Sequence, residues 1–189
     1  MANMASVAYA IEGPWSTLDN IRQAISEAIG RKDDHRYEEY IACEILGIPI
    51  EEGKTRLGGE ITEEPEIKDG ALRISAEERW GLQDFNELLE KHFPGIKVYW
   101  VVEECGCEVY CTNDSEGKYF PERYWVDTAQ DDVYQSEYFK TEEDMYKWLN
   151  EKYGVKSEEE VEAWNADYED SGADDENFIY VHKFEVICQ

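Results

Sequence analysis

The stretch Ile96–Asp114, IKVYWVVEECGCEVYCTND, carries the strongest strand signal in the chain and decides its fold class. β-Branched and aromatic residues dominate its first half, as is typical of a strand in a half-buried sheet. A Cys-Gly-Cys turn and a second alternating run follow, so the stretch predicts a β-hairpin. With Cys105 and Gly106 at the turn, one core-facing side would carry Val98, Trp100, Val102, Val109 and Cys111. The same pairing sets Glu103 opposite Glu108, two like charges, and a longer loop therefore stays open.

Strands and helices alternate on the N-terminal side of this hairpin. The runs ASVAYAIEG and ALRISAEERW alternate with period two and predict strands. The segments from Leu18 to Ile29 and from Leu82 to Phe93 repeat apolar residues at helical spacing, and a shorter helix is predicted between Tyr37 and Ile45. Besides the hairpin residues, we expect a core that contains Ile21, Ile25, Leu82, Phe85, Leu88 and Leu89.

The C-terminal third is acidic and predicts two capped helices followed by a strand. Thr141 with Asp144 opens the first helix, and Ser157 with Glu160 opens the second. KYFPERYWVDTA is predicted to complete an antiparallel meander with the hairpin, and FIYVHKFEVICQ is predicted to return to the same sheet. The predicted fold class is α+β, a mostly antiparallel sheet with helices packed on one face. The 189 residues are predicted to form one domain, with a core of about residues 5–128 plus 178–188 and a helical acidic insertion over about 129–177.

The formal net charge of -27 excludes an ordinary nucleic-acid binder, because such proteins neutralise phosphates with Lys and Arg. Charge of this size has two interpretations. One is a solvated surface that keeps the protein monomeric, and the other is a surface that captures a basic protein. Charge runs are usually solvated faces, which favours the first interpretation. The 13 Tyr and 6 Trp residues keep the second open, since these residues are enriched at recognition surfaces.

Cysteine spacing gives little support to a metal or disulfide site. Cys105 and Cys107 on a straight strand would have Cα atoms roughly 6.5 Å apart, and one Zn²⁺ would require the strand to bend at Gly106. A second chelating pair is missing, so Cys111 is interpreted as a small buried apolar residue. No cofactor and no metal are predicted.

Candidate catalytic residues are few. The chain has no Gly-x-Ser-x-Gly, His-Glu-x-x-His, phosphate-loop or dinucleotide motif. The alternative of a small enzyme or metal-binding protein rests on the Cys105, Cys107 and Cys111 region, or on His92 or His182 paired with a carboxylate. We predict that the protein is not an enzyme.

Two segments resemble the YubB-type ferredoxin-like proteins, an uncharacterised family of phages, plasmids and integrated elements. The resemblance spans about half of the chain and lies in MANMASVAYAIEGPWSTLDNIRQAI and in the region from Glu78 to Tyr119. The matching residues are Asn3, Val7, Ile11, Gly13, Leu18, Trp80, Phe93, Pro94, Glu104, Gly106 and Gly117. The resemblance implies a split β-α-β plan with an antiparallel sheet backed by helices, and it implies no catalytic residues.

The sequence therefore predicts a cytoplasmic, monomeric protein that binds a basic protein and contacts neither nucleic acid nor membrane. The N-terminus lacks a targeting signal, and no apolar run is long enough to span a bilayer. The predicted partner surface lies in the acidic C-terminal region and comprises Tyr134, Tyr138, Tyr146, Trp164 and Tyr168.

Overall fold

The computed structural model describes residues 3–31, 36–50, 54–171 and 177–188, with side chains for all of these except residues 168–171. The chain divides into two compact units, residues 1–115 with 187–189 and residues 116–186. This boundary lies before the acidic region that the sequence set apart at about residue 129. The boundary falls between the second strand of the hairpin and the strand predicted in KYFPERYWVDTA, which were predicted to be neighbours in one meander.

The first unit contains a mostly antiparallel sheet and three helical segments. Its elements are β1 (Met4–Glu12), α1 (Trp15–Ile29), α2 (Glu38–Tyr40, continued by a π-helical turn over Ile41–Ile45), β2 (Glu60–Ile61), β3 (Glu66–Lys68), β4 (Ala71–Arg79), α3 (Phe85–His92), β5 (Lys97–Glu104) and β6 (Val109–Thr112).

Strand β1 lies at the centre of this sheet. The strand order is β6-β5-β1-β4-β2, and β3 also pairs with β4. Tyr9 lies opposite Ile74 of β4 and opposite Trp100 of β5, and both pairings are antiparallel. Strands β4 and β5 are therefore parallel to each other, and α3 connects them across the strand between them.

The core of the first unit follows the predicted apolar pattern in most positions. Predicted core residues that are buried are Val98, Trp100, Val102, Cys111, Phe85, Leu89, Ile21 and Ile25. Leu82 and Leu88 are partly buried and pack against the same cluster. The prediction for Val109 is wrong: it is 38% exposed, because it follows the loop directly and lies opposite Glu104 instead of an apolar residue.

The hairpin loop is longer than a two-residue turn at Cys105 and Gly106. Glu104 pairs with Val109 and Glu103 pairs with Tyr110, so residues 105–108 form the loop. Glu108 adopts a positive φ of 58° in this loop. The longer loop removes the like-charge pairing of Glu103 with Glu108 that the shorter turn would impose.

In its described residues, the second unit contains a three-stranded antiparallel sheet, two helices and a two-residue strand over Glu185–Val186 that is not part of that sheet. Its elements are β7 (Tyr124–Gln130), β8 (Val133–Phe139), α4 (Glu142–Tyr153), α5 (Glu158–Ser171), β9 (Phe178–Lys183) and β10 (Glu185–Val186). The sheet order is β8-β7-β9. The meander prediction is wrong for β7, which pairs with β8 and β9 instead of the hairpin, and the region predicted as helical also contains β8.

Both predicted helix caps of the acidic region are confirmed. The Asp144 amide donates to Thr141 Oγ1 at 3.1 Å, and Gly154 ends α4 in a left-handed conformation with φ of 74°. The Glu160 amide donates to Ser157 Oγ at 3.3 Å at the start of α5. These caps satisfy amide groups that a helix start leaves unpaired. No helix in the described ranges is long and apolar enough to cross a membrane.

Candidate binding surface on the second sheet

The strand register gives the second sheet two different faces. One face contributes Val126 and Ile179 to an apolar cluster with Met145, Leu149 and Val161 of the two helices. Because side chains alternate along a strand, the opposite face carries the residues between these. We call it the open face, and its three cross-strand rows are Tyr138–Trp125–His182, Ser136–Asp127–Tyr180 and Tyr134–Ala129–Phe178.

Aromatic rings form a stack along the first row of the open face. The Trp125 and His182 rings stack with centroids 4.9 Å apart and planes 26° apart. Tyr138 stacks on the other side of Trp125, at 6.1 Å and 21°. Trp125 Nε1 also donates a hydrogen bond to Ser136 Oγ, which fixes the orientation of the indole.

The third row is also aromatic. The Phe178 and Tyr180 rings stack at 4.7 Å and 21°, and Tyr134 packs against Phe178 at 6.2 Å. Tyr134, Tyr138 and Tyr180 are 57%, 43% and 53% exposed. Exposed rings of this number on one face are typical of recognition surfaces, since apolar area is usually buried.

Asp127 occupies the middle row of the open face. It is half-buried, and it forms no ion pair with any residue in the described ranges. Its cross-strand neighbours are Ser136 and Tyr180. The rows on either side of it carry aromatic rings, and these lie within the reach of cross-strand and diagonal neighbours. A carboxylate amid aromatic rings is chemically suited to a cation that also has a flat face, which describes the guanidinium of arginine.

The five predicted partner residues do not form one surface. Tyr134 and Tyr138 lie on the open face. Tyr146 is half-buried in α4, and Trp164 is half-buried in α5 with its ring 5.8 Å from that of Tyr153. The structure does not describe the side chain of Tyr168. Trp164 thus belongs to the packing between the helices and the sheet.

Tyr146 lines a pocket of about 310 Å³ at the helix side of the same sheet. Burial, followed by the charges of Glu142 and Glu158 and the neighbouring Tyr124, raises the pKa of Tyr146. Both glutamates lie in the first turns of their helices, where carboxylates stabilise the helix dipole. The helix-start positions of the two glutamates explain why the pocket is acidic. A bound ligand is not needed to explain it.

The hairpin cysteines differ in exposure. Cys105 and Cys107 are exposed on the loop, whereas Cys111 is buried. Asn3 Nδ2 donates to Cys107 Sγ at 3.1 Å. Within the described ranges, no group of three or more His, Cys, Asp or Glu side chains is placed to hold a metal ion.

The described histidines contact aromatic rings. His92 is exposed and packs edge-on against Phe93 at 4.7 Å, and His182 stacks on Trp125. The sequence suggested His182 only as one half of a histidine–carboxylate pair. It did not identify Trp125, Asp127 or Tyr180 as site residues, although their alternation along the strands signals shared faces.

Comparison of the chain with protein-family models, with curated proteins and with solved structures found no match.

Proposed function

We propose that the protein is a non-enzymatic binding module that recognises arginine side chains of a basic partner protein on the open face. The observation that carries this proposal is the position of Asp127, which lies between two aromatic rows and forms no ion pair within the described ranges. A bound guanidinium would supply the missing positive charge and stack on the adjacent rings.

Arginine fits this face better than lysine does. A guanidinium is planar, donates paired hydrogen bonds to a carboxylate and stacks on aromatic rings, whereas an ammonium group is a compact, strongly hydrated charge. The net charge of -27 adds long-range attraction for any basic partner and disfavours nucleic acid. Charge sets the rate of encounter, and the open face provides selectivity between cations.

We also propose that the first unit is ferredoxin-like and that the chain is related to the YubB-type proteins. The order of β1, α1, β3, β4, α3 and β5 along the chain, with sheet order β5-β1-β4-β3, supports the ferredoxin-like assignment. The proposal includes that the protein is cytoplasmic and monomeric and that a mobile element encodes it. It would present its acidic surface to host or element proteins.

The proposal is tested with fluorescein-labelled hexa-arginine, hexa-lysine and hexa-glutamate peptides, whose binding to the intact protein is followed by fluorescence anisotropy. We expect hexa-arginine to bind several-fold more tightly than hexa-lysine at equal charge, and hexa-glutamate not to bind. Both basic peptides should weaken as salt rises, because salt screens the attraction. Equal affinity for the two basic peptides, lost at moderate salt, would show that the acidity is only solubilising.

A further inference from the structure

Two glutamates are buried side by side in the first unit. Glu38, the first residue of α2, and Glu78 of β4 are both 0% exposed. The Tyr9 hydroxyl donates to Glu78 Oε1, and the Gln83 amide donates to Glu78 Oε2. Glu78 therefore has two donors, which favour a carboxylate at this position.

Glu38 has a different environment. Neither of its carboxyl oxygens accepts a well-formed hydrogen bond from a donor in the described ranges. Its carboxyl lies against Gly59, where an added Cβ would be 2.3 Å from Glu38 Cδ. In the pairing of β2 with β4, Glu60 lies opposite Glu77. Gly59 therefore lies beside Glu78, and the Glu38 carboxyl on Gly59 is a neighbour of the Glu78 carboxyl.

The described groups around Glu38 and Glu78 are carboxyl, hydroxyl and amide groups. Burial raises the pKa of Glu38 most, the adjacent Glu78 raises it further, and the Gly59 backbone opposes them weakly. Burial also raises the pKa of Glu78, Asp84 adds to this, and the donors Tyr9 and Gln83 oppose it. Within the described ranges, no lysine or arginine is among the groups that shift these two pKa values.

Two carboxyl groups in contact cannot both be ionised in a buried site, because repulsion and desolvation act together. A proton shared between the two carboxyl groups removes one of the two charges. One proton on the pair gives Glu38 the hydrogen bond that it otherwise lacks.

Residues 36–48, here called the α2 segment, dock through backbone hydrogen bonds and buried apolar side chains. The Ile61 amide donates to the Arg36 carbonyl at 2.9 Å, and the Glu38 amide donates to the Gly59 carbonyl at 3.1 Å. Ile41, Ala42 and Ile48 of the segment are buried in the core. We propose that one proton shared between Glu38 and Glu78 fastens the α2 segment to the sheet, and that loss of this proton releases the segment.

The direction of the pH effect follows from the raised pKa values. In the released segment Glu38 has an ordinary pKa of about 4.3. The docked state therefore binds more protons than the released state between that pH and the raised pKa of the pair. Docking is strongest below about pH 4.3 and weakens as pH rises through the raised pKa.

The test is hydrogen exchange of the intact protein, measured by mass spectrometry from mildly acidic to mildly alkaline pH. Wild type is compared with Glu38→Gln, which supplies its own donor to Glu78 and needs no proton. Glu39→Gln is the matched control, since Glu39 is exposed and adjacent. The ratio of wild-type to variant exchange rates at each pH cancels the intrinsic pH dependence of exchange.

The Ile61 amide reports docking, because its hydrogen bond to the Arg36 carbonyl joins β2 to the α2 segment. We expect its exchange in wild type to rise by about tenfold or more relative to Glu38→Gln as pH rises, which corresponds to a shift of one pKa unit or more. Glu39→Gln should follow wild type, and peptides from α1 should not change. Glu78→Gln should flatten the pH profile as Glu38→Gln does, which provides a second variant if the first does not fold. A pH-independent ratio would overturn the proposal, and so would protection that a chelator abolishes, because the pair would then hold a metal ion.

Discussion

The ring of His182 lies parallel to the ring of Trp125, with centroids 4.9 Å apart, although the two residues are more than fifty positions apart in the chain. The two rings meet because β7 pairs with β9, which places Trp125 opposite His182. Tyr138 stacks on the other side of Trp125, so this stack of three rings spans all three strands of the second sheet. Trp125 is thus the central ring of the open face.

Replacing Trp125 with alanine should weaken hexa-arginine binding by about fivefold to tenfold, because it removes the ring on which Tyr138 and His182 both stack, and a cation-π contact with this stack contributes about 1 kcal/mol. Fluorescence anisotropy measures the change. Trp15→Ala is the control, because Trp15 is an exposed tryptophan of the first unit. Equal weakening by both substitutions would place binding elsewhere than the open face.

Replacing Thr141 with alanine should lower the free energy of unfolding by about 1 kcal/mol, because the Asp144 amide loses its acceptor at the start of α4. Urea denaturation of the full chain, followed by far-ultraviolet circular dichroism, checks this. Thr141→Ser keeps the hydroxyl and should retain most of the stability. A serine variant as unstable as the alanine variant would argue against the cap.

Gly58 and Gly59 are adjacent glycines that should respond differently to alanine. A Cβ at Gly59 would meet the Glu38 carboxyl at 2.3–2.5 Å, whereas a Cβ at Gly58 would make ordinary contacts with Arg79 at 3.4–3.6 Å. Gly59→Ala should therefore destabilise the protein by about 1–3 kcal/mol through overpacking, and Gly58→Ala should have a small effect. Thermal or urea denaturation of both variants gives the comparison, and similar losses would contradict the packing of Glu38 on Gly59.

Cysteine alkylation should follow exposure and thiol pKa. Cys105, Cys107 and Cys188 are exposed and should react first with iodoacetamide, and the buried Cys111 should react last. Burial, followed by Glu39 and Glu44, raises the pKa of Cys43, so its reaction should need a higher pH than that of a free cysteine. Peptide mass spectrometry of timed samples measures the order, and early modification of Cys111 would contradict its buried position.

Elements defined by local pattern were predictable from the sequence. The alternation of β1, β4 and β5 and the helical periods of α1 and α3 each depend on neighbouring residues, and the caps at Thr141 and Ser157 are signals of a few residues. The two short strands β2 and β3, of two and three residues, are too short to carry a comparable local pattern. Backbone pairing with β4 holds these two segments as strands.

Pairing between distant strands was not predictable in the same way. The alternation in β7 shows that Trp125 and Asp127 share a face, but it does not show which sheet contains that face. The sequence therefore placed β7 beside the hairpin, and only Tyr134 and Tyr138 of the open face were predicted. The buried contact of Glu38 with Glu78 also joins distant segments, and neither glutamate differs in local pattern from the many exposed ones.

The most direct measurement of the central claim is hexa-arginine affinity in Asp127→Asn. The substitution removes the charge and keeps the shape, so the protein should remain folded and bind about tenfold or more weakly, because hydrogen bonds to a charged group contribute about 1.5–3 kcal/mol. Asp167→Asn is the matched control, since Asp167 is an exposed aspartate of α5. Its affinity should stay within about twofold of wild type, as expected for an exposed charge away from the bound cation. Wild-type affinity in Asp127→Asn, or an equal loss in Asp167→Asn, would contradict recognition of arginine at Asp127.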